Sequence, residues 1–206
     1  MGRPPARQRK PYSADTILDV AVGVFRERGY EGSSLEQIAR TAGITKASIY
    51  YHVRSKEELL ARGVGRALDA LFAVLDEPEA RRGAAVARLR YLIRRTIEIT
   101  VERLPEVALL IRVRGNTRVE RRVLERRREF DRIVAETMVE AQREGLRADI
   151  DPRLATRLLF GMLNSITEWY RPEGELDAAG LAEAVYRIAF EGLADGRSSP
   201  LAKSTE

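Results

Sequence analysis

Between residues 33 and 60 the chain reads SSLEQIARTAGITKASIYYHVRSKEELL. Lys46, Ser48, Tyr50, Tyr51 and His52 crowd into one short stretch of it, and Lys56 follows just beyond. Ammonium, hydroxyl, phenol and imidazole groups donate to phosphate oxygens and to the edges of bases, and a helix N-terminus adds backbone amides for phosphate. Bond-making chemistry is harder to assemble. The chain has no cysteine and one histidine, which removes thiolate catalysis, cysteine-ligated zinc and iron–sulfur clusters. No pair of carboxylates stands out for a helical hydrolase. A binding protein without metal or resident cofactor is expected, not an enzyme.

The elements that hold these groups are legible around them. A helix-turn-helix needs a small residue where its helices cross, a glycine able to take positive φ in the turn, and an apolar residue on the second helix facing the first. Ala39, Gly43 and Ile49 meet those needs in order. A first helix over 13–29 carries the apolar stripe Ile17, Val20, Ala21, Val24 and Phe25. A second runs to about residue 41, and two reciprocal capping pairs compete for its start, Ser33 with Glu36 and Ser34 with Gln37. Thr45 caps a third helix ending near His52. Ser55 and Glu58 cap a fourth that runs to about Leu75, where Pro78 breaks it. The competing reading of residues 45–52 is a solvated surface helix whose tyrosines pack on their neighbours.

Beyond this head, apolar residues keep recurring at three- and four-residue spacing, and alternation every second residue is scarce. Helices are expected at 81–103, 105–114, 119–145, 151–171 and 177–194. Asp151-Pro152 is a start signal, and Gly145 and Gly174 fall where stops belong. The fold class is all-α, with about nine helices. The expected division is a basic arm over 1–12, a helix-turn-helix domain over 13–56, a helical bundle over 57–194 and a polar tail over 195–206.

Residues 16–60, and ITKASIYYHVRSKEELL above all, resemble the DNA-binding head of the TetR family of bacterial repressors. The resemblance implies that Tyr50 and Lys56 hold phosphates, that His52 meets the DNA backbone, and that Lys46, Ala47 and Ser48 face bases. It implies phosphate contacts from Ser34 and Thr45 at their helix starts, with Tyr51 beside them on the same surface. It also implies a dimer paired through its last two helices on a palindromic operator in double-stranded DNA. Arg3, Arg7, Arg9 and Lys10 suit a minor-groove arm, or equally a loose basic tail.

The bundle is implied to bind a small-molecule effector. Leu158, Met162, Leu181, Val185 and Ile188 are the expected dimer-interface residues, on helices with small residues that allow close approach. The same stripe also reads as ordinary intramolecular core. Tyr91, Arg112, Asn116, Phe130, Ile133, Asn164 and Trp169 are the expected ligand contacts, since a pocket combines apolar walls with sparse polar anchors. Arginines are dense from Arg112 to Arg128, and guanidinium suits phosphate or carboxylate. The run EWYRPEG at 168–174 resembles the branch of the family that responds to acyl-CoA thioesters. An acyl-CoA and another apolar or aromatic ligand remain the two effector readings.

The net charge of +5 permits a polyanionic partner. The basic start lacks the apolar stretch of a secretory signal, and no window approaches a membrane span, so a cytoplasmic location without a membrane partner is expected. Three functional classes follow: a ligand-released repressor, a constitutive DNA-binding protein whose bundle only dimerises, and an enzyme, for which the sequence offers no site.

Overall fold

The computed structural model describes residues 13–192. The basic arm and the polar tail lie outside the described residues, and so do the arm residues Arg3, Arg7, Arg9 and Lys10. Helices account for the architecture, and no strand occurs among the described residues. Helix α1 spans Ala14–Arg28, α2 Leu35–Ala42, α3 Lys46–Tyr50 and α4 Lys56–Val74. They are followed by α5 (Pro78–Arg81), α6 (Ala85–Glu102), α7 (Leu104–Arg112), α8 (Arg118–Arg143), α9 (Pro152–Trp169) and α10 (Ala178–Tyr186). A π-helical turn, Arg187–Glu191, extends α10.

The chain divides into two compact units, one ending at Val64 and the other beginning at Gly65. The sequence reading ended the head at residue 56, where α4 starts. The first turns of α4 belong with the head because Leu59, Leu60 and Val64 are buried and Lys56 is bonded to the α1–α2 loop.

In the head, Ile17, Leu18, Ala21, Val24 and Phe25 of α1 are buried, and α1 packs on α2. Val20, expected on this stripe, is only half-buried. Of the two capping pairs, Ser34 and Gln37 form the reciprocal box. The Gln37 amide donates to Ser34 Oγ at 3.2 Å, and the Ser34 amide donates to Gln37 Oε1 at 2.7 Å. Ser33 is instead buried, with its hydroxyl donating to the Tyr30 carbonyl at 2.7 Å.

In the second unit, α6 packs against α8 and α10, and α9 packs against α7 and α8. Where a break was expected at Pro78, a single helical turn forms. Proline's missing N–H and fixed φ suit the first helical position, so it opens α5 after closing α4. Thr117 and Glu120 form a capping box at the start of α8, with Glu120 buried and accepting the Thr117 amide at 2.8 Å. Asp151 caps α9 by accepting the Leu154 amide at 2.9 Å, with Pro152 next to it. Helix α6 has no side-chain cap from its own N-cap residue, Ala84; the Ala85 amide donates instead to Glu144 at 2.5 Å.

Candidate functional site

The presentation of α3 follows from how the turn before it is built. Gly43 sits at φ 69° and ψ 28°, the left-handed region that glycine enters without Cβ strain. Its geometry lets the Ile44 amide donate back to the Ala39 carbonyl at 3.0 Å, which closes α2 sharply. Ala39 is buried at the crossing, and Ile49 is fully buried on the inner face of α3. With Ile49 turned inward, the residues around it face outward.

Lys46, Ala47 and Tyr50 are exposed and Ser48 is partly so. Tyr51 is 88% exposed, which removes the reading in which both tyrosines pack on their neighbours. Thr45 caps α3 by accepting the Ser48 amide at 3.1 Å, and the two hydroxyls share a hydrogen bond of 2.8 Å. The α-helix ends at Tyr50; Tyr51 and His52 form the turn after it, with the His52 amide donating to the Ile49 carbonyl at 2.9 Å. Ser34, at the start of α2, accepts the Gln37 amide, and its hydroxyl is also bonded to the Glu36 carboxylate.

Two cations of the head have partners that the sequence did not suggest. Lys46 forms an ion pair with Glu36, in the first turn of α2. The bond from Lys46 holds the Glu36 carboxyl below its ordinary range and holds the Lys46 ammonium above its own. Lys56 Nζ donates to the Tyr30 carbonyl at 2.8 Å and to the Ser33 carbonyl at 3.0 Å, and lies 4.2 Å from the Tyr30 ring centre. Two of its three donors are thus committed to the α1–α2 loop. The phosphate contact expected of Lys56 competes with this clamp.

Among the described residues, the expected ligand residues lie on several surfaces of the bundle. Tyr91 borders a cleft between α6 and α10, and its hydroxyl donates to Glu77. Glu77 also accepts two bonds of 3.1 Å from Arg95, whose third nitrogen reaches Glu98 at 2.5 Å. Arg112 lies 3.7 Å from Glu168. Asn116 is exposed in the loop before α8, its carbonyl accepting from Arg121. Phe130 is buried, edge-on to Phe72 at 5.7 Å and to Phe160 at 6.0 Å. Ile133 is half-buried on α8, and Trp169 is half exposed at the end of α9 against Tyr170. Only Asn164 lines the groove between α8 and α9.

The expected interface residues also separate. Leu158 and Ile188 are exposed and Met162 is half-buried, whereas Leu181 and Val185 are buried within the subunit. Helix α10 turns those two toward its own bundle, where it packs on α6. Leu154 on α9 and Leu176 before α10 are also exposed apolar residues.

The head matches the family described as bacterial regulatory proteins, tetR family, over residues 17–62, and residues 82–193 match the tetracyclin repressor-like C-terminal domain. The chain belongs to the TetR family. It is therefore a transcriptional regulator and not an enzyme. A crystal structure of a TetR regulator from Streptomyces coelicolor A3 is 55% identical, covers 90% of this chain and 94% of its own, and superposes with a TM-score of 0.83. The HTH-type transcriptional repressor KstR2 of Rhodococcus jostii is 30% identical over 86% of this chain and 89% of its own length. The fatty acid metabolism regulator protein of Bacillus subtilis is 23% identical over 91% and 98%.

In this TetR regulator, sequence reasoning missed Glu36 and Leu154. Glu36 carried a signal, since it stands in the first turn of a helix whose crossing partner begins with Lys46. Leu154 carried one too, as it is one turn before Leu158 on the same face of α9. Among the described residues, no helix is long and apolar enough to cross a membrane, and no cluster of histidine or carboxylate groups is arranged to hold a metal ion.

Proposed function

We propose that the protein is a homodimeric, ligand-responsive repressor that binds a palindromic operator and releases it when a small molecule, an acyl-CoA thioester, occupies the bundle. The observation that carries the DNA half is the outward face of α3. Lys46, Ala47 and Ser48 face bases, Tyr50, Tyr51 and His52 meet phosphates and backbone, and Ser34 and Thr45 add hydroxyls at the two helix starts. The exposed side chains of a capped helix suit major-groove reading, because the packing of Ala39 and Ile49 beneath fixes the helix that presents them.

Pairing is supported by Leu154, Leu158 and Ile188, at 50%, 61% and 45% exposure, an apolar surface that a second copy would cover. Two heads then read half-sites spaced about one helical turn or a multiple apart. The effector shifts this arrangement only through different affinity for the bound and released states. The acyl-CoA reading is supported by the EWYRPEG ending of α9 and by the arginine density of α8. The name of the Bacillus subtilis relative points the same way.

A second reading, constitutive DNA binding without an effector, draws on the scatter of the expected ligand residues over separate surfaces. Fluorescence anisotropy on the promoter beside the protein's own gene separates the two. Acyl-CoAs of increasing chain length should raise the apparent Kd for the operator. If no acyl-CoA weakens binding and none raises the protein's melting temperature, the constitutive reading stands.

A further inference from the structure

Clefts among the described residues of the bundle differ in how their arginines are used. In the α6–α10 cleft, of about 300 Å³, Arg90 is paired with Glu183 at 2.7 Å and Arg94 lies 3.8 Å from Glu98. In a mainly apolar cleft of about 220 Å³ bordered by Phe190, Arg147 is bound to Asp149 at 2.8 Å. The groove between α8 and α9, about 720 Å³, is built otherwise. Arg127, Arg128 and Arg132 of α8 and Arg153 and Arg157 of α9 face it, against a single carboxylate, Asp131.

Only Arg132 has an ion-pair partner there, Glu136 at 2.6 Å on the same helix. Among the described residues no carboxylate lies within 4.0 Å of the other four arginines. Burial pushes the Asp131 carboxyl up, while Arg127 and Arg157 pull it back down, so the one acid in the groove answers to two of its cations. Four guanidinium groups outside ion-pair distance of any carboxylate, with one half-buried acid among them, leave the concavity with an excess of positive charge; they form a site for a multiply charged anion, since each presents a fork of donors matched to phosphate. Phe160 also lines the groove, held edge-on by Phe130, and offers an apolar face beside the cations.

We propose that the α8–α9 groove binds the phosphate groups of a small nucleotide-type ligand, with Arg127, Arg128, Arg153 and Arg157 as the anion contacts and Phe160 against its ring. This deepens the effector reading and rests on it for the ligand's identity. The coenzyme A half of a thioester would lie here, and its acyl chain elsewhere. Asp131 limits the charge of the groove, so an anion binds more tightly once it is neutralised.

The test is isothermal titration calorimetry of the full chain with free coenzyme A and with inorganic pyrophosphate. The parent, Arg127→Gln/Arg157→Gln, Arg153→Gln and Asp131→Asn are compared, each checked for an unchanged melting curve. Both probes should bind the parent and weaken with added salt. The double variant should lose about tenfold or more in coenzyme A affinity, and Arg153→Gln alone should lose less. Asp131→Asn should gain. Operator affinity without ligand should be the same in all four proteins.

Failure of the parent to bind either probe, or equal binding by the double variant, overturns the groove. So does a loss of operator affinity in the double variant without ligand, which assigns the arginines to DNA. An acyl-CoA that releases operator equally from parent and double variant overturns the groove and leaves the effector reading intact. Coenzyme A held by these arginines, with no acyl-CoA releasing the operator, supports the groove and removes the effector reading.

Discussion

The ammonium of Lys56 lies 2.8 Å from the carbonyl oxygen of Tyr30 and 4.2 Å from the centre of the same residue's ring. The first residue of α4 therefore holds the loop that leads into α2, the helix that supports α3. Ser33 donates to the same Tyr30 carbonyl, and the Tyr30 ring meets Phe25 edge-on at 5.4 Å. One charged side chain thus ties together the loop and the core beneath it.

Lys56→Ala should cost the head about 2 kcal/mol, the worth of a charged donor on two carbonyls and one ring. The melting temperature should fall, and Lys56→Arg should restore only part of it, since a planar fork does not fit the three partners. A pure phosphate contact predicts a different outcome. The salt slope of operator binding would drop by about one with melting unchanged, and that result would remove the clamp.

Glu36 restrains Lys46 through the ion pair at the head's outer face. Glu36→Gln should free one positive charge, raise affinity for a scrambled duplex and narrow its gap to the operator. Lys46→Ala should instead change which operator bases matter. Competition anisotropy with operator and scrambled duplexes measures both. An unchanged ratio in Glu36→Gln would mean that the pair has no part in discrimination.

Hydrogen bonds from Arg95, and then from Tyr91, hold the Glu77 carboxyl below its ordinary range. Its folded pKa is therefore below its unfolded one, and the unfolded chain takes up the proton first as pH falls. The contribution is full above the ordinary glutamate pKa of about 4.3 and is lost as pH drops through the folded value. Glu77→Gln should cost about 1 kcal/mol at pH 7 and should lose less stability than the parent on acidification. Denaturant melts at pH 7, 5 and 4 check the slope. Parallel curves for the two proteins would contradict it.

Leu158 and Leu181 should behave oppositely, although both are apolar residues of the last two α-helices. Leu158 is exposed and Leu181 is buried at 3%. Leu158→Glu should yield a monomer by analytical ultracentrifugation while keeping the subunit folded. Leu181→Ala should leave the oligomer intact and destabilise the subunit by about 2–5 kcal/mol. A dimer that survives Leu158→Glu would place the interface elsewhere.

The head was legible because its signals are local. The Ser34–Gln37 box, Gly43 and Thr45 each act within a few residues of themselves, and their chemistry admits few alternatives. Features built from distant residues were not legible. The cap of α6 comes from Glu144, 59 residues downstream, and the clamp on the Tyr30 carbonyl comes from Lys56, 26 residues downstream. Helix α10 is apolar on its sequence face, yet which neighbour that face meets is decided by α6, so Leu181 and Val185, legible as either interface or core, are buried within the subunit. Phe130 illustrates the same limit, since an aromatic at helical spacing is core or pocket according to Phe72 and Phe160 across from it.

The central claim is that the outward face of α3 reads DNA. Its most direct test is anisotropy of the full chain on a duplex carrying the promoter beside its own gene, comparing the parent with Lys46→Ala, Ser48→Ala and Tyr50→Ala. Tyr50→Ala should weaken operator and scrambled duplex alike, because phosphate contacts carry little sequence information. Lys46→Ala and Ser48→Ala should weaken the operator by about 1–3 kcal/mol per lost base contact and spare the scrambled duplex. Parent affinity for both duplexes in all three variants would contradict the claim.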